Sequence, residues 1–214
     1  MFSPIFCLLT PPNLGLKAIA FSLHSLSNLH YSNTLQVSLA RLRNQLNLRH
    51  SQRQMAGFTA LRLRMGRSPK RFPASPQALL DQYQRHSCLR PISPIVDLYN
   101  QWSLNSGLSI GAHDLRHLQL PASLTLTQGG ECFQALGSQT GHPLPTGEYA
   151  YIDAQGQVLC RMEYRQCAAT ALDETSDSAL FIVQGHPDTD PQYLQQVAAG
   201  LKNDLMRCCA SRAA

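Results

Sequence analysis

The apolar residues of this chain change period about halfway along it. Before roughly residue 118 they recur mostly at intervals of three and four; from about 120 to 185 they alternate. An early exception is LGLKAIAFSL (14–23), an apolar run that predicts a strand with a buried middle. In LQVSLARLRNQLNLRHSQRQMA (35–56), Leu35, Leu39, Leu42 and Leu46 keep helical spacing. Arg41, Arg43, Arg49 and Arg53 fall among or beyond them, which predicts one amphipathic helix with a basic face. RLRMGRSPKRFPASP (62–76), with Gly66 and three prolines, predicts an extended loop, and Ser75 and Pro76 then open a helix whose inner residues are Leu79, Leu80 and Tyr83.

The next helix carries a puzzle. Ser93 is a suitable N-cap, Pro94 suits the first helical position, and Ile95, Leu98, Tyr99 and Trp102 form an apolar stripe that Gly107 ends. Yet Asp97 and Asn100 lie near its start, and a predicted loop containing Gly107, Gly111, His113 and Asp114 follows. Such polar residues would line a cleft, with glycine letting a ligand approach the backbone.

Alternation then predicts four strands, in ASLTLTQ, EYAYID, GQVLCRMEYRQ and ALFIVQG. In the third, Cys160, Met162 and Tyr164 alternate with Arg161, Glu163 and Arg165, giving one face a row of charges. Pro191 opens a final helix with Leu194, Val197, Leu201, Leu205 and Cys208 on one stripe. Helices and strands mix without βαβ alternation, so the expected class is α+β: a mixed or antiparallel central sheet with flanking helices. Residues 1–214 read as one domain, with a basic part (1–90), a central part (91–185) and a C-terminal helix (191–209).

Charge sharpens this picture. Residues 1–90 hold twelve Lys and Arg against one acid, Asp81, a net +11; the remainder holds six basic and twelve acidic residues, a net −6. That polarity, mostly from arginine, suits a polyanionic partner, with a solvated helix face as the plain alternative. The seven cysteines are scattered and include an adjacent pair, so reduced thiols are expected, with Cys132 and Cys160 packed. No CxxC pair, P-loop, GxGxxG, GxSxG or HExxH occurs; no metal and no cofactor are expected. The N-terminus is apolar but lacks a basic leader and is interrupted by prolines, so it reads as the first piece of the fold in a cytoplasmic protein with no membrane contact.

Five fragments in order carry a family resemblance: PISPIVDLYN, GLSIGAHDL, GGECFQALG, PTGEYAYID and VLCRMEYRQCAATAL, followed by DETSDSALFIV. Over roughly residues 60–185 the chain resembles the tRNA-binding and editing (B-three/B-four) domain of the bacterial phenylalanyl-tRNA synthetase β subunit. It is more similar still to free-standing proteins made of that domain alone. The resemblance implies a pocket between sheet and helices that admits the 3′ end of a mischarged tRNA, where the synthetase domain hydrolyses the ester of the wrong amino acid, tyrosine. A detached copy would do this in trans.

Residue by residue, Asn100 and Asp97 match the family helix, whereas Tyr99 stands where a small hydroxyl residue is usual. Gly111 stands at the place of the family histidine, with His113 two residues beyond. The family's pocket glutamate falls near Phe181 or Gln184. MEYRQ replaces a glycine-rich segment, which puts Arg165 or Gln166 beside the pocket with Thr170 and Thr175 at the turns after it.

The expected catalytic group is therefore Asn100, His113 and Gln166; the substrate-binding group is Asp97, Tyr99, Gly111, Arg165 and Thr170. Arg62, Arg64, Arg67, Lys70, Arg71 and Arg90 would meet RNA. Alternatives stay open at four positions: Asp97 can instead cap its helix, Asn100 can fix a loop, His113 can turn to its neighbour Asp114, and Arg165 can pair with Glu163 or Glu148. Three functions compete: a trans-acting deacylase of aminoacyl-tRNA, a non-catalytic tRNA- or RNA-binding module, and a pocket for a free small amino-acid derivative.

Overall fold

The computed structural model describes residues 4–211. In chain order the elements are β1 (Phe6–Leu8), β2 (Lys17–Leu23), α1 (Asn33–Asn44), α2 (Leu48–Arg64), α3 (Ser75–His86), α4 (Pro94–Ser106), β3 (Ser109–Asp114), β4 (Ala122–Leu126), β5 (Cys132–Phe133), β6 (His142–Pro143), β7 (Tyr149–Ile152), β8 (Val158–Arg161), β9 (Arg165–Gln166), β10 (Ala179–Gly185) and α5 (Pro191–Cys208). The class is α+β, as the mixed periodicity implies. The strands form two main sheets rather than one central one. An antiparallel sheet runs β2-β10-β3; a mixed sheet runs β1-β4-β7-β8-β9, with only β1 and β4 parallel. A two-stranded ribbon, β5-β6, pairs separately and packs on the large sheet through Phe133, against Ala150 and Val158.

The middle strand of the three-stranded sheet, β10, is buried along its whole length because both its faces are covered. Phe181 and Val183 point into one core with Phe21 of β2 and Ile110 of β3, where the stripes of α1, α4 and α5 close over them. Phe21 and Phe181 stack there, ring centroids 5.3 Å apart. Leu180 and Ile182 point the other way, into a second core with Leu124, Tyr149 and Leu159 of the large sheet and Phe58 and Leu61 of α2. The order is thus helices, small sheet, large sheet, with α2 and α3 against the second core.

Four expectations need correction. The long basic helix is two helices: Asn47 interrupts the leucine pattern, and its side chain accepts from His50 N to cap α2. Next, α2 runs to Arg64, so the loop is shorter than 62–76. The segment around Gly111 and His113 is a strand, β3, paired along its length with β10. Finally, GQVLCRMEYRQ is a hairpin, not one strand: Met162 takes a left-handed φ of 49°, the chain reverses, and β9 pairs back on β8. That reversal abolishes the row of exposed charges and turns Glu163 inward.

The helix α4 ends as read, with Gly107 at φ 70°. Its start differs. Ser93 makes no side-chain cap bond, and Asn28 instead accepts the Ile95 amide through Oδ1 at 3.0 Å. No helix among the described residues is long and apolar enough to cross a membrane.

Candidate functional site

A strand alternates its side chains between two faces, and β3 uses both. Ile110 and Ala112 enter the helical core, while Ser109, Gly111 and His113 face the large sheet at its β8–β9 end. Because β3 and β9 are both edge strands, the sheets part there and leave a cavity of about 160 Å³. Tyr99 and Asn100 of α4 and Ser75 at the head of α3 close one side; Tyr151, Cys160 and Glu163 line the inner wall; Tyr164, Arg165 and Gln166 complete it.

Six of the residues expected to meet substrate therefore line one cavity: Tyr99, Asn100, Gly111, His113, Arg165 and Gln166. Two do not line it. Asp97 accepts from Ile92 N at 2.8 Å and from the Tyr31 hydroxyl at 2.6 Å, so it ties the chain before α4 in place and lies in a small adjoining hollow with Arg43 and Arg90. Thr170 stands behind His113, its Oγ1 2.7 Å from the imidazole Nδ1 and 3.0 Å from Cys167 Sγ.

His113 is 1% exposed, and burial pulls its pKa down to about 4, so the ring is neutral at pH 7. Thr170 occupies Nδ1, and among the described residues Nε2 has no partner. The Tyr99 hydroxyl likewise makes no hydrogen bond among them; burial, with Asp97 and Cys160 nearby, raises its pKa and keeps the phenol protonated. Ser75 and Ser109 place their hydroxyls 2.8 Å apart, which uses one proton and leaves the other. Asn100, half-buried, makes no side-chain hydrogen bond among the described residues.

Gln166 requires a correction. Its Nε2 donates to the Ala112 carbonyl at 2.8 Å and lies 3.5 Å from that of Thr170, so the amide nitrogen is taken. What remains is Oε1, an acceptor, which cannot donate to a developing oxyanion. Arg165 settles the other way from an ion pair. Glu148 is held by Arg161 and Arg67 and Glu163 by Arg62, while Arg165 lies exposed over the Tyr164 ring, 5.2 Å from its centroid.

The residue that the sequence did not disclose is Glu163. Its Oε1 accepts from Arg62 at 2.5 Å, and its Oε2 accepts from the Tyr149 hydroxyl at 2.5 Å and Gln184 Nε2 at 3.1 Å. Arg62 also donates to the Tyr149 hydroxyl, and Tyr151 donates to Gln184 Oε1. Every partner is buried. Burial alone would favour a neutral Arg62, but Glu163 and Tyr149 outweigh it and hold its pKa above the ordinary value. The available signal was a lone acid between Met162 and Tyr164, in a segment too polar for a central strand.

Arg62 thus leaves the set of expected RNA contacts: at 1% exposure it cannot meet a phosphate. Arg67 is half-buried against Glu148 at 2.6 Å, and Arg64 donates to the Leu14 carbonyl at 2.7 Å. Lys70, Arg71 and Arg90 are exposed. The loop bearing Lys70 and Arg71 reaches the cavity wall through Phe72, whose ring meets Tyr164 edge-on at 5.5 Å with Arg71 over it. All seven cysteines are free. Cys160 is packed as expected, with burial and Glu163 raising its pKa, but Cys132 is exposed on β5.

No curated protein matches the chain. Among solved structures, an N-terminal fragment of the phenylalanyl-tRNA synthetase β subunit from Pyrococcus horikoshii is similar at 14% identity, with a TM-score of 0.45. The match covers 54% of this chain and 42% of that one, so this chain spans well under two thirds of that fragment. The model of the B3/4 domain matches residues 59–199, from the last turns of α2 into α5 and including every residue that lines the cavity. With most of its length matched, the chain belongs to the B3/4 domain family.

Proposed function

We propose that the protein hydrolyses the ester of mischarged aminoacyl-tRNA in trans. The observation that carries this is the continuity of cavity and basic loop: Tyr164 and Arg165 wall the cavity, and Tyr164 packs on Phe72, next to Arg71 and Lys70. Aromatic rings interleaved with arginines suit a single-stranded RNA end, which stacks its bases and lays its phosphates on positive charge. The cavity is smaller than ordinary small-ligand sites, so it takes the aminoacyl group while the terminal nucleoside stays at the mouth.

In this scheme water attacks the ester carbonyl, and the bond between that carbon and the ribose oxygen breaks. The ribose oxygen takes one of the water's two protons, the other passes to solvent, and the amino acid leaves as its carboxylate. Asn100 and Arg165 donate to the oxyanion, while Gln166 Oε1 accepts from the attacking water or the substrate ammonium. Cys160 is no nucleophile, because its thiol stays protonated. Aminoacyl esters are labile, so positioning and oxyanion support suffice without a strong base.

The test is deacylation of a panel of mischarged tRNAs. We expect hydrolysis of at least one above buffer, and Asn100→Ala to lower its kcat by about 10²–10³-fold. No hydrolysis of any member overturns the proposal. The competing module that binds RNA without hydrolysis draws on Glu163, whose two oxygens are both engaged and offer no free carboxylate. It predicts tRNA binding that weakens steeply with salt and no turnover.

A further inference from the structure

A second cavity lies outside the candidate site, and no step of the proposed hydrolysis uses it. It opens between α2, the loop 67–74 and the N-terminal half of α3. Its volume of about 380 Å³ falls in the ordinary range of small-ligand sites. Arg62 lines it and Glu163 lines the other cavity, so the buried ion pair stands between the two.

Its floor is apolar. Met55, Phe58 and Ala74 are buried there, with Pro69 and Pro73 beside them. Arg62 adds no free charge, because its guanidinium bonds to the Phe72 carbonyl, Tyr149 and Glu163. The mouth is different. Lys70 is exposed and makes no hydrogen bond or ion pair among the described residues. Asp81 accepts from Gln77 Nε2 through Oδ1 at 2.7 Å, and its Oδ2 has no partner among them. The one acid of the strongly basic first 90 residues thus sits at this mouth, unpaired with the lysine that shares it.

A simple anion would be repelled by Asp81 and a simple cation by Lys70, whereas a zwitterion satisfies both. The apolar floor beneath the two charges calls for an apolar body on that zwitterion. We propose that this cavity binds a free α-amino acid with a large apolar side chain, its ammonium on Asp81 and its carboxylate on Lys70. The side chain lies on Met55 and Phe58. Charge-assisted hydrogen bonds at the mouth fix its orientation, and burial of the side chain supplies most of the affinity. The inference does not depend on the hydrolase proposal.

Isothermal titration calorimetry of the full chain without RNA tests this, with L-leucine, L-methionine and L-phenylalanine as probes. Thermal-shift measurements give the same readout where the heat of binding is small. At least one probe should bind. Glycine, and the amide and N-acetyl derivatives of the best probe, should bind at least about tenfold more weakly, since they lack the side chain, the carboxylate and the ammonium in turn. Asp81→Asn and Lys70→Ala should each weaken binding at least about tenfold. No heat and no thermal shift from any probe at about 10 mM, equal binding of the blocked derivatives, or binding unchanged in either variant overturns the inference. So does binding that Asn100→Ala abolishes and Asp81→Asn spares, which would place the amino acid in the cavity around Asn100. Each of these failures leaves the hydrolase proposal standing.

Discussion

Glu163 divides two polar clusters that touch but are built on opposite rules. Behind it, Arg62, Tyr149, Gln184 and Tyr151 bond to the carboxylate or to one another in a closed set. In front of it, Tyr99, Asn100 and His113 line the cavity, and the Tyr99 hydroxyl, the Asn100 amide and His113 Nε2 bond to nothing among the described residues. A closed set of this kind fixes where the large sheet, α2 and β10 meet, and it has no capacity left for a ligand. Groups on a cavity wall with no protein partner keep their hydrogen-bonding capacity free for water or a ligand, so they belong to the binding side. Sequence distance does not separate the two, since Glu163, Arg165 and Gln166 lie within four residues.

The largest effect should come from opening the closed set. Glu163→Ala or Arg62→Ala leaves a buried charge unpaired and should cost about 3–5 kcal/mol in urea denaturation. A loss below 1 kcal/mol would show that the network is not fixed by this pair. The next effect belongs to His113. Its folded pKa of about 4 lies below the ordinary 6.5, so the unfolded chain binds the proton more tightly. Stability is complete above about pH 6.5 and should fall by about 3 kcal/mol as pH drops towards 4. His113→Gln should flatten that slope; an unchanged slope would mean that the ring is solvated. The smallest effect should be at Gly111, where an added Cβ meets nothing within 4 Å and β3 has an ordinary backbone. Gly111→Ala should leave stability equal or raise it by about 0.5–1 kcal/mol by thermal melting, while narrowing the cavity. A clear loss would show that the space is not open.

Much of the fold could be read directly, and the misses share a cause. The stripes of α4 and α5 and the apolar runs of β2 and β10 are periodic and strong, and they form as read. The break at Asn47 is masked because Leu46 and Leu48 continue an apolar pattern across it. The reversal at Met162 was hidden because a residue other than glycine takes the left-handed conformation there, so no turn residue marks it. In β3, small residues and a glycine look like a loop until β10 supplies the ladder. The candidate site was half legible. Asn100, Gly111 and His113 came from motif order, and Arg165 from its place in the altered segment. Glu163 and Arg62 were misplaced together, because a charged residue in a sequence gives no sign that its partner lies about a hundred positions away.

The clip from Gln166 to Ala112 gauges one rim of the cavity. Its amide reaches across from β9 to β3, beside a backbone bond from Asp114 N to the Thr170 carbonyl, so a glutamine's length helps set the width of the slot there. A shorter or longer side chain at Gln166 would change that one span while the bond from Asp114 to Thr170 still holds the neighbouring stretch of rim.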